Sequence, residues 1–243
     1  MAQPADSQET VSHSPNAAAS SAVETPSGKD EAYENFPVGS FLLPARLRPH
    51  IARFYRFARA IDDIADNCEL SPETKVQRLS GFEAALLGQM TGNADYATAH
   101  RMRESLEQTD ITARHCQDLI DAFKQDSVKN RTADWDDLMH YCIRSAAPVG
   151  RYLIDLHGGS AHGYGPSDAL CNALQVINHL QDCQDDYRTL DRVYLPADWL
   201  AAEGATVEDL DRDACTPALR RVIDRCLDAT EVLLAEARPI AGG

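Results

Sequence analysis

The chain has 243 residues, 44% of them hydrophobic, and 23 Lys and Arg stand against 38 Asp and Glu for a formal net charge of −15. That balance argues against nucleic acid as a partner, which wants a basic face, and against docking on anionic lipid by charge alone. No apolar run approaches the length of a membrane-spanning helix, and seven scattered cysteines without a Cys-x-x-Cys pair suit a reduced, cytoplasmic protein better than a disulfide framework.

Residues 1–34 are rich in Ser, Ala, Pro and acids, and their only large aliphatics are Met1, Val11 and Val23. Such a segment buries too little apolar surface to offset its ordering entropy, so a disordered tail is expected. It carries neither the apolar core of a signal peptide nor the basic character of a transit peptide.

From Asn35 onward the apolar spacing is helical, and helices are expected near 45–67, 72–89, 97–107, 112–127, 133–158, 166–190 and 215–237. Ser71 and Pro72 read as the N-cap and first residue of the second. The pattern predicts an all-α, single-domain bundle over 35–243.

Two helices carry acidic stripes. In the first, Tyr55, Arg59, Asp62 and Asp66 recur at steps of three and four, between core-forming Phe54, Phe57, Ile61 and Ile64. In the second, Gln175, Asn178, Asp182 and Asp186 do the same beside Val176, Ile177 and Leu180. A solvated helix face is not flanked in this way. Facing carboxylates repel and are costly to desolvate, and a hard divalent cation relieves both. Mg²⁺ takes oxygen ligands and bridges one or two carboxylates to phosphate. The stripes therefore predict a clamp for a metal-bound diphosphate, with Asp62, Asp66, Asn178, Asp182 and Asp186 as metal ligands and Gln175 in support.

A leaving diphosphate needs further cations, for which Arg59, Lys129, Arg131, Arg188 and Arg192 are candidates. A third feature runs from Tyr141 to Arg151. Pro148 must bend or break its helix, Gly150 allows close approach, and Tyr141 shares a face with Ser145. Small residues beside such a kink could open a cavity within the bundle. Tyr194-Leu195-Pro196 reads as an exit loop, and His50, His140, His157 and His179 read as structural.

Three segments in this order carry a resemblance: Tyr55-x-Phe57-x-Arg59-x-x-Asp62-Asp63-x-x-Asp66; Tyr141-Cys142-x-x-Ser145-Ala146-x-Pro148-Val149-Gly150; and Gln175-x-x-Asn178-x-x-Gln181-Asp182-x-x-x-Asp186, followed by Arg192-Val193-Tyr194-Leu195-Pro196. The chain resembles the squalene/phytoene synthase family of head-to-head isoprenoid diphosphate synthases. Glu34-Asn35-Phe36-Pro37-Val38, Pro148-Val149-Gly150, Asp121-Ala122-Phe123-x-Gln125-Asp126 and Asp134-Trp135-Asp136 resemble its bacterial hopanoid branch.

The resemblance implies an isoprenoid-synthase bundle, acting with Mg²⁺ and without NADPH, around an apolar cavity lined by Tyr55, Phe57, Tyr141, Ala147 and Val149, whose aromatic faces shelter a cation. The substrate it implies is presqualene diphosphate, ionised and captured by water. It implies catalytic roles for Tyr141 and Arg59, and substrate contacts from Tyr55, Phe57, Arg59, Lys129, Ser145, Gln175, Arg192 and Tyr194. The family's diphosphate-binding serine near the start is replaced by Tyr33 and Asn35-Phe36, and Gln181 stands for the usual Arg. Members continue about forty residues further, so the domain is expected to lack a closing helix. A hydrophobic substrate also implies loose membrane association and exchange with enzymes of the same pathway. A head-to-tail elongase would want an arginine pair where Cys68-Glu69-Leu70 stands. A di-iron bundle would want Glu-x-x-His pairs, which the chain lacks. A non-catalytic helical interaction module would leave both stripes unexplained.

Overall fold

The computed structural model describes residues 23–24 and 43–242, with side chains through Ile240. The expected start of the body at Asn35 and most of segment 1–34 lie outside the described residues. Within that segment Val23 and Glu24 are placed. The Val23 carbonyl accepts from Arg78 (3.2 Å), and the Glu24 carboxylate accepts from the Thr98 backbone N–H (3.3 Å).

Among the described residues the regular structure is helical, and the only strand-like pairing is an isolated bridge between Arg131 and Val193. The α-helices are α1 (Arg48–Ala65), α2 (Pro72–Leu86), α3 (Ala97–Thr109), α4 (Arg114–Asp126), α5 (Trp135–Ser145), α6 (Ala147–Leu156), α7 (Tyr164–Leu190), α8 (Ala197–Glu203) and α9 (Pro217–Ala237). Their starts follow local chemistry. Ser71 accepts from the Thr74 N–H ahead of α2, Asp134 from Asp137 ahead of α5, and Thr216 from Leu219 ahead of α9. Asp110 and Asp191 end α3 and α7 in the left-handed region, at φ 55° and 50°.

The helix expected over 133–158, with a bend or break at Pro148, is two helices, α5 and α6, parted at Ala146. Pro148 is accommodated in the first turn of the new helix, where it has no internal N–H bond to forfeit. Segment 197–203, which lies outside the expected helices, forms α8 because Trp199 and Leu200 have α9 to bury against.

Helix α1 packs on α2, α3 and α4, while α7 packs on α5, α6 and α9; α4 links the two groups through α5 and α6. The largest core cluster joins Ile51, Phe54, Phe57, Ile61 and Ile64 of α1 to Leu79, Phe82, Met102, Leu119 and Tyr152. A second surrounds Trp199, Val222 and Cys226, with Trp199 stacked on Trp135 at 5.4 Å. A third, Ala122, Leu138, Tyr141, Cys142 and Val176, lies between them at α4, α5 and α7. Gly150 lets α6 approach α7, since a Cβ there would stand 2.8 Å from Cys171 Sγ and closer still to Ser167 Oγ. All seven cysteines are free thiols, and no described helix is long and apolar enough to cross a membrane.

Candidate active site

The α1 stripe forms as its spacing predicts. Arg59 reaches along the helix to Asp62 (3.0 Å) and Asp63 (2.8 Å). Asp63 is 8% exposed and fell outside the predicted stripe, yet it shares the arginine. The Asp62 carboxyl is pushed up to about 8 by burial and by the negative charge of Asp66, against the pull of Arg59.

The α7 stripe faces the same region. Asp186 is pushed up to about 7, by burial first and then by Asp66 across the gap, with Arg192 opposing. Such mutual repulsion means that carboxylates of α1 and α7 share one field. Arg192, just past α7, crosses the gap. Its Nη1 donates to Asp66 Oδ1 at 2.8 Å, and its Nη2 to the Asp126 carbonyl at 3.2 Å. Lys75 of α2 adds a third cation at this end, donating to the Ala65 carbonyl at 2.8 Å; burial and the neighbouring Arg192 hold its amine below the usual value. Asp182 lies on the exposed side of the stripe and Asn178 on the half-buried side.

Behind the carboxylates lies a buried polar-aromatic cluster. Tyr141, 4% exposed, donates to Asp126 Oδ2 at 2.5 Å, and the Tyr194 hydroxyl donates to the Tyr141 oxygen at 3.3 Å. His179 stacks on Tyr194 at 3.6 Å and lies 5.8 Å from Tyr141. Burial drives the imidazole down to about 3, so it is neutral. Gln175 lies 3.2 Å from its Nε2. Ser145 is buried as well, and its Oγ has no partner among the described residues.

Next to Asp62 opens a cavity of about 190 Å³, lined by Ile51, Phe54, Tyr55, Ala58, Arg59, Phe123, Val149 and Leu153. It has an apolar body with a charged mouth at Arg59 and Asp62. This corrects the place given to Phe57, which is fully buried against Phe82 at 6.2 Å between α1 and α2. Phe54, one helical turn away, takes its place in the wall and stacks on Tyr152 at 4.1 Å.

Three further predicted cations are engaged elsewhere. Lys129 Nζ lies 2.5 and 2.6 Å from the two Asp137 oxygens. Arg131 pairs with Asp191, and Arg188 with Asp211. Each finds a local acid, a choice that helix spacing does not reveal. Sequence reasoning gave no site role to Asp63, Lys75 or Asp126, while His179, neutral and stacked on Tyr194, keeps its structural reading. For Asp126 a signal existed: an acid ending a helix opposes the macrodipole.

Among the described residues no three His, Cys, Asp or Glu side chains stand close enough to enclose an ion. Mg²⁺ keeps several waters and is bound through one or two carboxylates together with substrate phosphate oxygens. All the donors on the stripes are oxygens. Burial first, and neighbouring carboxylates second, raise the Asp62 and Asp186 carboxyls.

Residues 30–243 match the squalene/phytoene synthase family, and the chain belongs to that family of isoprenoid synthases. Among its relatives is the hydroxysqualene synthase of Rhodopseudomonas palustris, 47% identical over 91% of this chain and 75% of that one. That of Zymomonas mobilis is 43% identical over 86% and 70%. The crystal structure of squalene synthase HpnC from Alicyclobacillus acidocaldarius superposes with a TM-score of 0.72 at 32% identity, covering 85% of this chain and 78% of that one. A dehydrosqualene synthase shares the fold, with a TM-score of 0.70 at 21% identity over 82% of this chain and 69% of that one.

Proposed function

We propose that this chain is a hydroxysqualene synthase, converting presqualene diphosphate and water to hydroxysqualene and diphosphate. The observation that carries the reading is the pair of acidic stripes on α1 and α7, joined by Arg192 and opening beside an apolar cavity. It is supported by 47% identity to a relative of that name.

The residues divide the work by chemistry. Asp62, Asp66, Asn178, Asp182 and Asp186, supported by Gln175, would hold Mg²⁺, which supplies Lewis-acid charge to the diphosphate when bound. Arg59 and Arg192 are placed to take part of the negative charge that builds on the leaving group. Tyr55, Phe54 and the aliphatic wall hold the lipid chain and exclude bulk water. The C–O bond to diphosphate breaks with both electrons leaving on oxygen. The rearranged carbocation then accepts an electron pair from one water, whose proton passes to solvent or diphosphate. The sum is redox-neutral and needs no NADPH. Tyr141 and Tyr194 form the hydroxyl pair behind the carboxylates, and aromatic rings there would favour positive charge. We place the protein in the cytoplasm, taking a lipid substrate from a membrane surface.

The test is incubation of the purified chain with Mg²⁺ and presqualene diphosphate, or with farnesyl diphosphate, without reductant. Hydroxysqualene from the first substrate supports the reading. Presqualene diphosphate formed from the second assigns the chain to condensation instead.

A further inference from the structure

Asp126 breaks three rules of local stability. It is the last residue of α4, where the helix end is already negative. It is 5% exposed. It also shares the field of Asp62, Asp66 and Asp186. A carboxylate kept where it opposes the dipole, desolvation and like charge is the kind of conflict that functional sites retain.

Its contacts show what it could do. The Tyr141 hydroxyl hydrogen is donated to Asp126 Oδ2, and the Tyr194 hydrogen to the Tyr141 oxygen. A carboxylate at the head of this chain can only accept, so both hydroxyl hydrogens point inward. The backbone carbonyl of the same residue accepts from Arg192, so α4 also anchors the guanidinium that bridges to Asp66.

We propose that Asp126 is a positioning residue that fixes the direction of the Tyr194–Tyr141 hydroxyl chain, so that the Tyr194 oxygen serves as an acceptor. The inference deepens the proposed reaction and rests on that reading. Water attacking a carbocation must offer its lone pair to carbon while its hydrogens are held by acceptors. A Tyr194 oxygen whose own hydrogen is spent inward holds one of those hydrogens and repels no cation. Without Asp126 the chain can reverse and aim a hydroxyl hydrogen at the cation.

The test uses Asp126→Asn, which keeps the shape but lets the amide donate or accept, with Asp126→Leu, Tyr141→Phe and the Asp126→Asn/Tyr141→Phe pair. Asp126→Asn is expected to lower kcat about 10- to 100-fold, with KM and the Mg²⁺ midpoint within about 3-fold. The hydroxylated share of the product falls, and the melting temperature does not. Tyr141→Phe costs less in the Asp126→Asn background than in the wild type, because the two act as one unit. A readout independent of turnover is the Tyr141 hydroxyl proton, which should give a downfield, slowly exchanging magnetic resonance that Asp126→Asn removes. Unchanged kcat and product pattern, independent effects of the two substitutions, or no such resonance in the wild type would each overturn the inference. A tenfold shift in the Mg²⁺ midpoint would overturn it by making Asp126 a ligand. A wild type that leaves presqualene diphosphate unconverted overturns the functional reading instead, and the resonance still decides the role of Asp126.

Discussion

Arg192 and Asp66 lie 126 residues apart in sequence and 2.8 Å apart in space, and this contact ties the segment after α7 to the end of α1. The guanidinium is 8% exposed and the carboxylate 37%, so the pair is only half withdrawn from water. Its value lies in charge balance, because Asp126 and Asp186 stand in the same field.

Arg192→Gln therefore leaves several acids without their shared cation. The metal-free protein is expected to lose about 2–3 kcal/mol, less than for a fully buried pair because the carboxylate is partly exposed. That corresponds to a fall in Tm of about 4–12 °C for a chain of this size. Mg²⁺ should restore part of that stability, and thermal melts with and without the ion measure both effects. A Tm unmoved by the substitution would mean that the arginine balances nothing.

Asp62→Asn should act in the opposite direction. The carboxyl is raised in the folded state to about 8, so the folded protein holds more protons than the unfolded chain. Stability from this group falls as pH rises from its unfolded value near 4 towards 8. Asp186, raised to about 7, adds to the same slope. Removing the charge of Asp62 is expected to raise the metal-free Tm at pH 8 by about 2–6 °C and to flatten its pH dependence. The variant should respond little to Mg²⁺ and lose turnover by a factor of about 100 or more. Melts at pH 5 and pH 8 check the sign.

Phe54 and Phe57 differ in position by less than one turn yet face different surroundings, the cavity wall and the packed α1–α2 interface. Alanine at either should cost about 3–4 kcal/mol. Only Phe54→Ala enlarges the cavity, so it alone should alter the product pattern or admit a bulkier diphosphate. A changed product pattern from Phe57→Ala would contradict this division.

Gly150→Ala would force a methyl group against Cys171 and Ser167, parting α6 from α7. The expected cost is about 1–3 kcal/mol by denaturant unfolding. Ser167→Ala in the same chain should relieve part of it.

Much of this site is written in helical spacing. Carboxylates four residues apart share a face whatever lies around them, so Asp62 with Asp66 and Asp182 with Asp186 are legible from sequence, as are the Ser71 cap and the helix break before Pro148. What spacing cannot show is the partner across a gap. Lys129 finds Asp137 and Phe57 finds Phe82 because loop and helix packing bring them together. His179 reads as one more core residue until Tyr194 folds back on it. Helix α8 is only seven residues long, too short for periodicity to reveal, and owes its form to α9.

The central claim is that the stripes hold diphosphate so that its bond to carbon breaks and water attacks the carbon. Turnover of presqualene diphosphate in ¹⁸O-labelled water tests this most directly. The account predicts the label in the alcohol of hydroxysqualene and none in the released diphosphate. Label in the phosphate product, with an unlabelled alcohol, would place the attack at phosphorus and contradict it.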